Sequence, residues 1–305
     1  MRIASFLPSA TEIVYALGQE DSLVAVSHEC DYPRPAREKM VVVHSAVDSE
    51  RLSSGEIDRA VRDLLARGES IYQIDETRLK ALAPQVILTQ DLCQVCAPSG
   101  NAVTDVLKTL SPAPDVLWLT PRSLDDIAAN IREVAVALGC VDRADAVIAN
   151  MRERLTSVAA RVASAPRLRV SFMEWVDPIY CGGHWVPEMI ELAGGEDRLS
   201  RRHADSVRVE WKDIVAWAPE VLIVAPCGYD VARATEDARK LPSLPGWDGL
   251  PAVRENKVFV VDANSFFARP GPRVVDGTEL LAHLLHPDLV DWCGPADAFA
   301  TLGSG

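Results

Sequence analysis

Several protein classes are excluded by what this sequence lacks. It has no run of lysine and arginine, and 44 acidic side chains outnumber 31 basic ones for a net charge of −13. A duplex or an anionic membrane surface is repelled on average, so no nucleic acid partner is expected. No stretch approaches the roughly 18 apolar residues of a membrane span, so no membrane insertion is expected. The G-x-S-x-G elbow, the G-x-x-x-x-G-K-[ST] loop, H-E-x-x-H and G-x-G-x-x-G are all missing, which leaves the common hydrolase, nucleotide and dinucleotide chemistries without a signature. Cysteine is sparse and odd in number, seven in 305 residues, so an oxidised framework is not expected and most thiols should be reduced. Met1-Arg2 runs straight into the first apolar run, with no small-residue cleavage site after it. The chain as written is therefore expected in the cytoplasm, or in the periplasm or outside the cell if a leader was removed.

What the sequence does contain is a repeat. Leu79–Leu88 reads as the end of a short helix, a proline stop and a buried strand, and Ile214–Ile223 repeats it 135 residues later with Ala81, Ala83, Pro84 and Val86 in register with Ala216, Ala218, Pro219 and Val221. Ile3–Leu7 leads to a helix ending Ala16-Leu17-Gly18 and then Glu20-Asp21; Val170–Met173 leads to Leu192-Ala193-Gly194 and then Glu196-Asp197. Repetition at this distance signals two similar domains, not a solenoid. Hydrophobic content of 48% is enough for two cores.

Strands are predicted at 2–7, 23–27, 85–89 and 115–119, then at 168–175, 221–225 and 257–261. They are Val/Ile/Leu-rich runs without strict alternation, as in sheets covered on both faces. Helices are predicted at 53–67, 125–138, 142–163, 185–193, 210–217 and 272–285. The helix from Asp142 carries Ala144, Val147, Ile148, Met151, Leu155, Val158 and Val162 at 3–4 spacing, and at 1.5 Å per residue it spans about 33 Å. The expected fold class is α/β: two Rossmann-like lobes with mainly parallel sheets joined by a long α-helix. The expected organisation is a lobe at 1–122, a helical connector at 123–166, a lobe at 167–290 and a tail at 291–305.

In parallel α/β sheets, ligands meet the loops after the carboxyl ends of the strands. Here those loops carry Ser9; His28, Glu29 and Cys30; Asp91, Cys93 and Cys96; Trp175 and Asp177; Cys181, Gly183, His184 and Trp185; Cys227 and Tyr229; and Phe266, Phe267 and Arg269. Five of the seven cysteines fall in them. Cys93-x-x-Cys96 has three readings: a metal site completed by His28 and Cys30, a redox pair, or two thiols with no joint role. Trp175, Trp185, Tyr229, Phe266 and Phe267 suit the walls of a flat hydrophobic ligand, or ordinary packing. His184 reads as a ligand group or a helix-start histidine. Arg269 reads as a partner for a carboxylate or phosphate, or as a surface arginine. His203 lies in a polar loop, and His283 and His286 read as structural.

With Ile3–Glu12, Leu79–Leu88, Glu188–Gly195, Val209–Ile223 and Arg269–Gly277 in view, the chain resembles the cobalamin-binding and iron-siderophore-binding proteins of ABC importers, nearest to the vitamin B12-binding branch. The resemblance covers about residues 2–286. It implies the class III periplasmic-binding-protein fold and no enzymatic activity. It also implies a small-molecule metal chelate, cobalamin or another corrinoid, gripped in the interlobe cleft by aromatic side chains. Members dock on an ABC permease through one acidic residue per lobe. Glu210 stands at the matching place in the second lobe. In the first that place holds Thr77, with Glu76 beside it, a departure from the docking pattern. The alternatives are a cytoplasmic zinc-binding protein or a thiol-dependent enzyme using the Cys93/Cys96 loop.

Overall fold

Short β-branched runs become strands, and Gly, Ala-Pro and Asp punctuate them. The structure is a computed structural model that describes residues 1–49, 51–90 and 106–303. The chain divides into two compact units: unit 1 is Met1–Pro121 with Asp125–Ala149, and unit 2 is Arg122–Leu124 with Asn150–Gly305.

Unit 1 is built on β1 (Ile3–Ser5), β2 (Leu23–Ser27), β3 (Met40–Ser45), β4 (Tyr72–Ile74), β5 (Val86–Thr89) and β6 (Asp115–Trp118), in the order β4-β3-β2-β1-β5-β6. All neighbours are parallel except β4, which runs antiparallel to β3. Parallel strands need crossovers, and α1 (Pro8–Ala16), α2 (Ser54–Ala66) and α3 (Glu76–Leu82) supply them. The start of α2 is fixed by a capping box between Ser53 and Glu56. Its apolar stripe presents Val61 and Leu64 to a core of Ala4, Phe6, Val42, Leu79 and Ile87.

Two long helices follow, α4 (Leu124–Leu138) and α5 (Val141–Val162). In α5 the buried residues are Ala144, Ile148, Met151, Val158 and Val162, the predicted stripe. Its first half is fastened in unit 1, where Arg143 Nη1 donates to the carbonyls of Leu17 and Gly18, each at 2.7 Å. Its second half is fastened in unit 2, where Arg154 donates to Glu279 at 2.6 and 2.9 Å and to Asp276 at 2.5 Å.

Unit 2 contains β7 (Leu168–Val176), β8 (Ile179–Cys181), β9 (Gly195–Glu196), β10 (Val207–Arg208), β11 (Val221–Val224), β12 (Val258–Val261) and β13 (Phe299–Thr301). The order is β10-β8-β7-β11-β12-β13, with β9 beside β7. Its helices are α6 (Val186–Leu192), α7 (Trp211–Trp217), α8 (Val231–Ala238), α9 (Pro251–Arg254), α10 (Ala263–Phe266) and α11 (Val274–Leu285). The core strands β7, β11 and β12 are parallel, but β8, β10 and β13 pair antiparallel. This sheet is thus more mixed than the expected parallel one. Residues 291–305, read as a tail, contribute β13, whose Phe299 pairs with Val261 and packs edge-on against Phe259 at 6.2 Å.

The repeat found in the sequence has a physical basis. Helices α3 and α7 both end on a left-handed alanine, Ala83 at φ +44° and Ala218 at φ +50°, followed by proline. The left-handed residue turns its N–H back onto the last helical turn, and proline prevents continuation. An arginine then clamps each cap from the start of the first strand of its unit. Arg2 Nε donates to the carbonyl of Ala83 at 2.8 Å, and Arg169 Nε to that of Ala218 at 3.0 Å. Even the reciprocal bond recurs: Gln85 Oε1 accepts from Arg2 N–H, and Glu220 Oε2 from Arg169 N–H, both at 3.0 Å.

Candidate functional site

Each unit presents loops at the carboxyl ends of its parallel strands. In unit 1, Ser9 is buried in the first turn of α1 behind Pro8. His28 and Glu29 are exposed just after β2. The His28 ring stands 6.4 Å from the rings of both His44 and Tyr72. Cys30 is buried, with its sulfur 3.1 Å from Thr11 Oγ1, which itself donates to Ser5 Oγ at 2.9 Å. Asp91, Cys93 and Cys96 lie outside the described residues. Among the described residues no group of three His, Cys, Asp or Glu side chains stands together to hold a metal ion. Cys30 is thus a buried loop thiol whose sulfur meets the Thr11 hydroxyl.

Unit 2 separates the expected aromatic wall into two groups. Trp185, Phe266 and Phe267 are buried. Trp185 Nε1 donates to the carbonyl of Phe267 at 3.0 Å, Phe267 packs edge-on against Phe172 at 5.2 Å, and Phe266 meets Trp292 at 5.8 Å. These rings hold the unit's interior together. Trp175 is only half-buried, and its ring meets Tyr229 edge-on at 5.3 Å, with the Arg233 guanidinium 3.9 Å from the Tyr229 centroid. Burial pushes the Tyr229 phenol pKa up. Trp175 Nε1 donates at 3.1 Å to the carbonyl of the exposed Asp177, which braces the β7–β8 hairpin. Arg269, expected to meet a ligand, is buried and donates to Asn264 Oδ1 at 2.8 Å. Cys181 is the last residue of β8 and fully buried, so it is a strand cysteine and not a loop one; burial pushes its thiol pKa far up, away from reactivity. Cys227 is exposed on the loop after β11.

Gly183 and His184 form a rigid corner. A side chain at Gly183 would begin 2.4 Å from the backbone nitrogen of Ser206, so only glycine fits. His184 takes a left-handed φ of +52°. Its N–H donates to the carbonyl of Ala204 at 2.7 Å, and its own carbonyl accepts from His203 N–H at 3.0 Å. His184 Nε2 stands 3.2 Å from Asp205 Oδ1. Burial lowers the imidazole pKa, partly opposed by Asp205. Glu174 accepts from Gly183 N–H at 3.2 Å and from Ser206 Oγ. Sequence reasoning missed Glu174 and Asp205. Asp205 lies 21 residues from His184 in a polar loop, and no local spacing ties the two.

The two acidic residues read as docking groups, Glu76 and Glu210, are exposed at the starts of α3 and α7, paired with Lys80 at 3.1 Å and Lys212 at 2.5 Å. The register that matches Ala83 to Ala218 pairs Glu210 with Asp75; each is the N-cap of its helix. A cavity of about 460 Å³ lined by Arg2, Lys80, Gln85 and Asp115 lies in unit 1 at the amino ends of β5 and β6, away from the loops above. No helix among the described residues is long and apolar enough to cross a membrane.

Two α/β units of this topology, joined through a long helix, define the class III periplasmic-binding-protein fold. The chain belongs to the Periplasmic binding protein family, which it matches over residues 3–265, and it is a binding protein, not an enzyme. It is 26% identical to the vitamin B12-binding protein of Vibrio parahaemolyticus over 90% of this chain and 86% of that one. It is 25% identical to an ABC transporter substrate-binding lipoprotein of Bacillus subtilis, over 94% of this chain and 80% of that one. Among solved structures, the periplasmic vitamin B12-binding protein of Vibrio cholerae superposes with a TM-score of 0.65 at 23% identity, covering 93% of this chain and 96% of that one. A periplasmic heme-binding protein of Pseudomonas aeruginosa gives 0.71 at 20% identity, covering 99% and 98%.

Proposed function

We propose that this chain binds a corrinoid, or a related planar metal chelate such as haem, as the binding component of an importer. The observation that carries the reading is its likeness to vitamin B12-binding proteins along 90% of its length. Trp175 backed by Tyr229 offers a flat apolar face at the end of β7, suited to a planar macrocycle. His184 adds an oriented imidazole from the adjoining segment. No observation favours the zinc-binding or thiol-enzyme alternatives.

Native mass spectrometry and visible titration with hydroxocobalamin and with haemin test the reading. A stoichiometric complex with either supports it, and a protein that ignores both overturns it. Docking is part of the same proposal: Glu210 on unit 2 and the acidic pair Asp75-Glu76 on unit 1 are the permease-facing carboxylates. Charge reversal at Glu210 should abolish uptake in cells while leaving chelate binding intact. The cytoplasmic location expected from the bare sequence finds no support among relatives named as periplasmic or lipoprotein. Fractionation of cells expressing the natural gene decides it.

A further inference from the structure

We infer that the cavity at the amino ends of β5 and β6 is a second ligand site, and that it takes a small zwitterion of the amino-acid class. It lies at the opposite strand ends from the loops described above and is independent of the chelate reading. The internal repeat supplies the comparison, because unit 2 shows the same frame with its arginine satisfied from within. There Arg169 Nε donates to the carbonyl of Ala218 at 3.0 Å, and Arg169 Nη1 stands 3.5 Å from Glu220 Oε2, which also accepts from Arg169 N–H at 3.0 Å. In unit 1 Arg2 Nε donates to the carbonyls of Leu82 and Ala83 at 3.0 and 2.8 Å, and Gln85 Oε1 accepts from Arg2 N–H at 3.0 Å. The carboxylate of unit 2 is an amide in unit 1. Gln85 holds the backbone as Glu220 does but brings no charge, and neither Nη atom of Arg2 makes a hydrogen bond or ion pair among the described residues.

That arginine lines a cavity of about 460 Å³, within the usual size of small-molecule pockets, about 300–1,000 Å³. A guanidinium with both Nη groups unused presents paired donors to a carboxylate. Lys80 adds a second cation to the wall and pairs with Glu76 on its own helix at 3.1 Å. Asp115, at the start of β6, also lines the cavity. Its N–H donates to the Gln85 carbonyl at 2.9 Å, and its carboxylate has no partner among the described residues. Pro84 and Leu110 are buried and give the cavity an apolar floor.

The mixture of charges decides the class of ligand. A single exposed ion pair contributes little, so an anion held by Arg2 alone would be weak. An inorganic anion large enough to reach Arg2 and Lys80 is repelled by Asp115, and a simple cation meets the reverse. A molecule with a carboxylate at one end and an ammonium at the other satisfies both, the carboxylate on Arg2 and Lys80 and the ammonium on Asp115. The apolar floor then favours a ligand side chain with carbon to bury.

Isothermal titration calorimetry of the full chain with the common L-amino acids, and with acetate and inorganic phosphate as anion controls, tests this. At least one amino acid should bind wild type about ten-fold more tightly than either control. Gln85→Glu supplies from within the carboxylate that Glu220 supplies in unit 2. It should weaken amino-acid binding about ten-fold while the melting temperature holds or rises, so that lost binding is not lost folding. Asp115→Asn should erase the preference for the amino acid over acetate. A wild type that binds no amino acid overturns the inference. So does an amino acid that binds both variants as it binds wild type, because it then sits elsewhere, and so does phosphate binding as tight as the amino acid's. Both variants should keep corrinoid or haem binding, so a negative result here leaves the chelate reading standing.

Discussion

The two units build the same joints from different parts. In each, the helix after the first strand ends on a left-handed glycine, Gly18 at φ +61° and Gly194 at φ +86°. Each glycine's carbonyl is met by a basic side chain from a distant helix, Arg143 Nη1 at 2.7 Å in unit 1 and His286 Nε2 at 3.4 Å in unit 2. Next comes an acidic pair. Asp21 is exposed, whereas Asp197 is half-buried and gathers the N–H groups of Phe172, Leu199 and Ser200 and the Ser200 hydroxyl. The frame repeats where backbone geometry demands particular residues. It diverges where any donor or acceptor of the right reach will serve. The carboxyl-end loops differ too: unit 2 carries the β7–β8 hairpin with its half-buried tryptophan and oriented histidine.

The sharpest way to break the parallel is at those acidic pairs. Asp197→Ala leaves four donors in unit 2 without this acceptor, which should cost about 3 kcal/mol, whereas Asp21→Ala should stay within about 0.5 kcal/mol. Urea unfolding followed by tryptophan fluorescence reads unit 2 selectively, because six of the seven tryptophans lie there and only Trp118 in unit 1. Burial raises the Asp197 pKa despite its four donors. The charged form is therefore a cost that grows as pH rises above the unfolded carboxylate value, near 3.9. Asp197→Asn should lose less than alanine, and its deficit should shrink as pH rises from about 4.

Next in size are the glycines. Alanine at either position meets positive φ, a penalty of about 1 kcal/mol. A Cβ at Gly194 would begin 2.6 Å from His286 Nε2, and one at Gly18 2.3 Å from Arg143 Nη1. The arginine is long and free to swing, while the His286 ring is buried. Thermal unfolding should therefore show Gly194→Ala falling further than Gly18→Ala, although Gly18 has the shorter contact. Equal losses would mean that the Arg143 clamp is as rigid as the histidine.

Much of this frame was legible. The parallel strands β1, β2, β5, β7, β11 and β12 are apolar runs, and their predicted bounds fall within two residues of the observed ones. The stripe of α5 was explicit at Ala144, Ile148, Met151 and Val158. The three-residue strands β4, β8 and β13 are too short to show a period, and each pairs antiparallel with its neighbour. Strand β3 did leave a signal, the run Val41-Val42-Val43, that was not used. At the site, residue type pointed to the right loops but could not report burial. Trp185, Phe267 and Arg269 carry ligand-like chemistry and spend it on internal contacts. Asp205 became visible only when its loop folded back on His184.

A smaller effect sharpens the comparison at the cap clamps. Arg169 adds an ion pair with Glu220 at 3.5 Å to its bond on Ala218, whereas Arg2 is exposed and makes no ion pair among the described residues. Arg169→Ala should cost about 1 kcal/mol in chemical denaturation, with Arg2→Ala lower. A larger loss at Arg2 would show that its two carbonyl contacts, Leu82 and Ala83, matter more than the ion pair.

The smallest expected effect is a pH dependence peculiar to unit 2. The His184 pKa is lowered, chiefly by burial, so the unfolded chain binds its proton more readily than the folded one. Stability from this group is thus fully present above the unfolded value, near 6.5, and is lost as pH falls below it. Glu188 contributes in a separate window. Burial works to raise its pKa, but the N–H of Leu124 with His203 and Arg202 holds it below the ordinary range, so its contribution is lost only below about pH 4. Melting curves between pH 7.5 and 5, read by tryptophan fluorescence, should fall by a few degrees at most in wild type. The fall should be smaller in His184→Asn. An equal slope in the two proteins would mean that burial does not disfavour the charged imidazole, with Asp205 offsetting its cost.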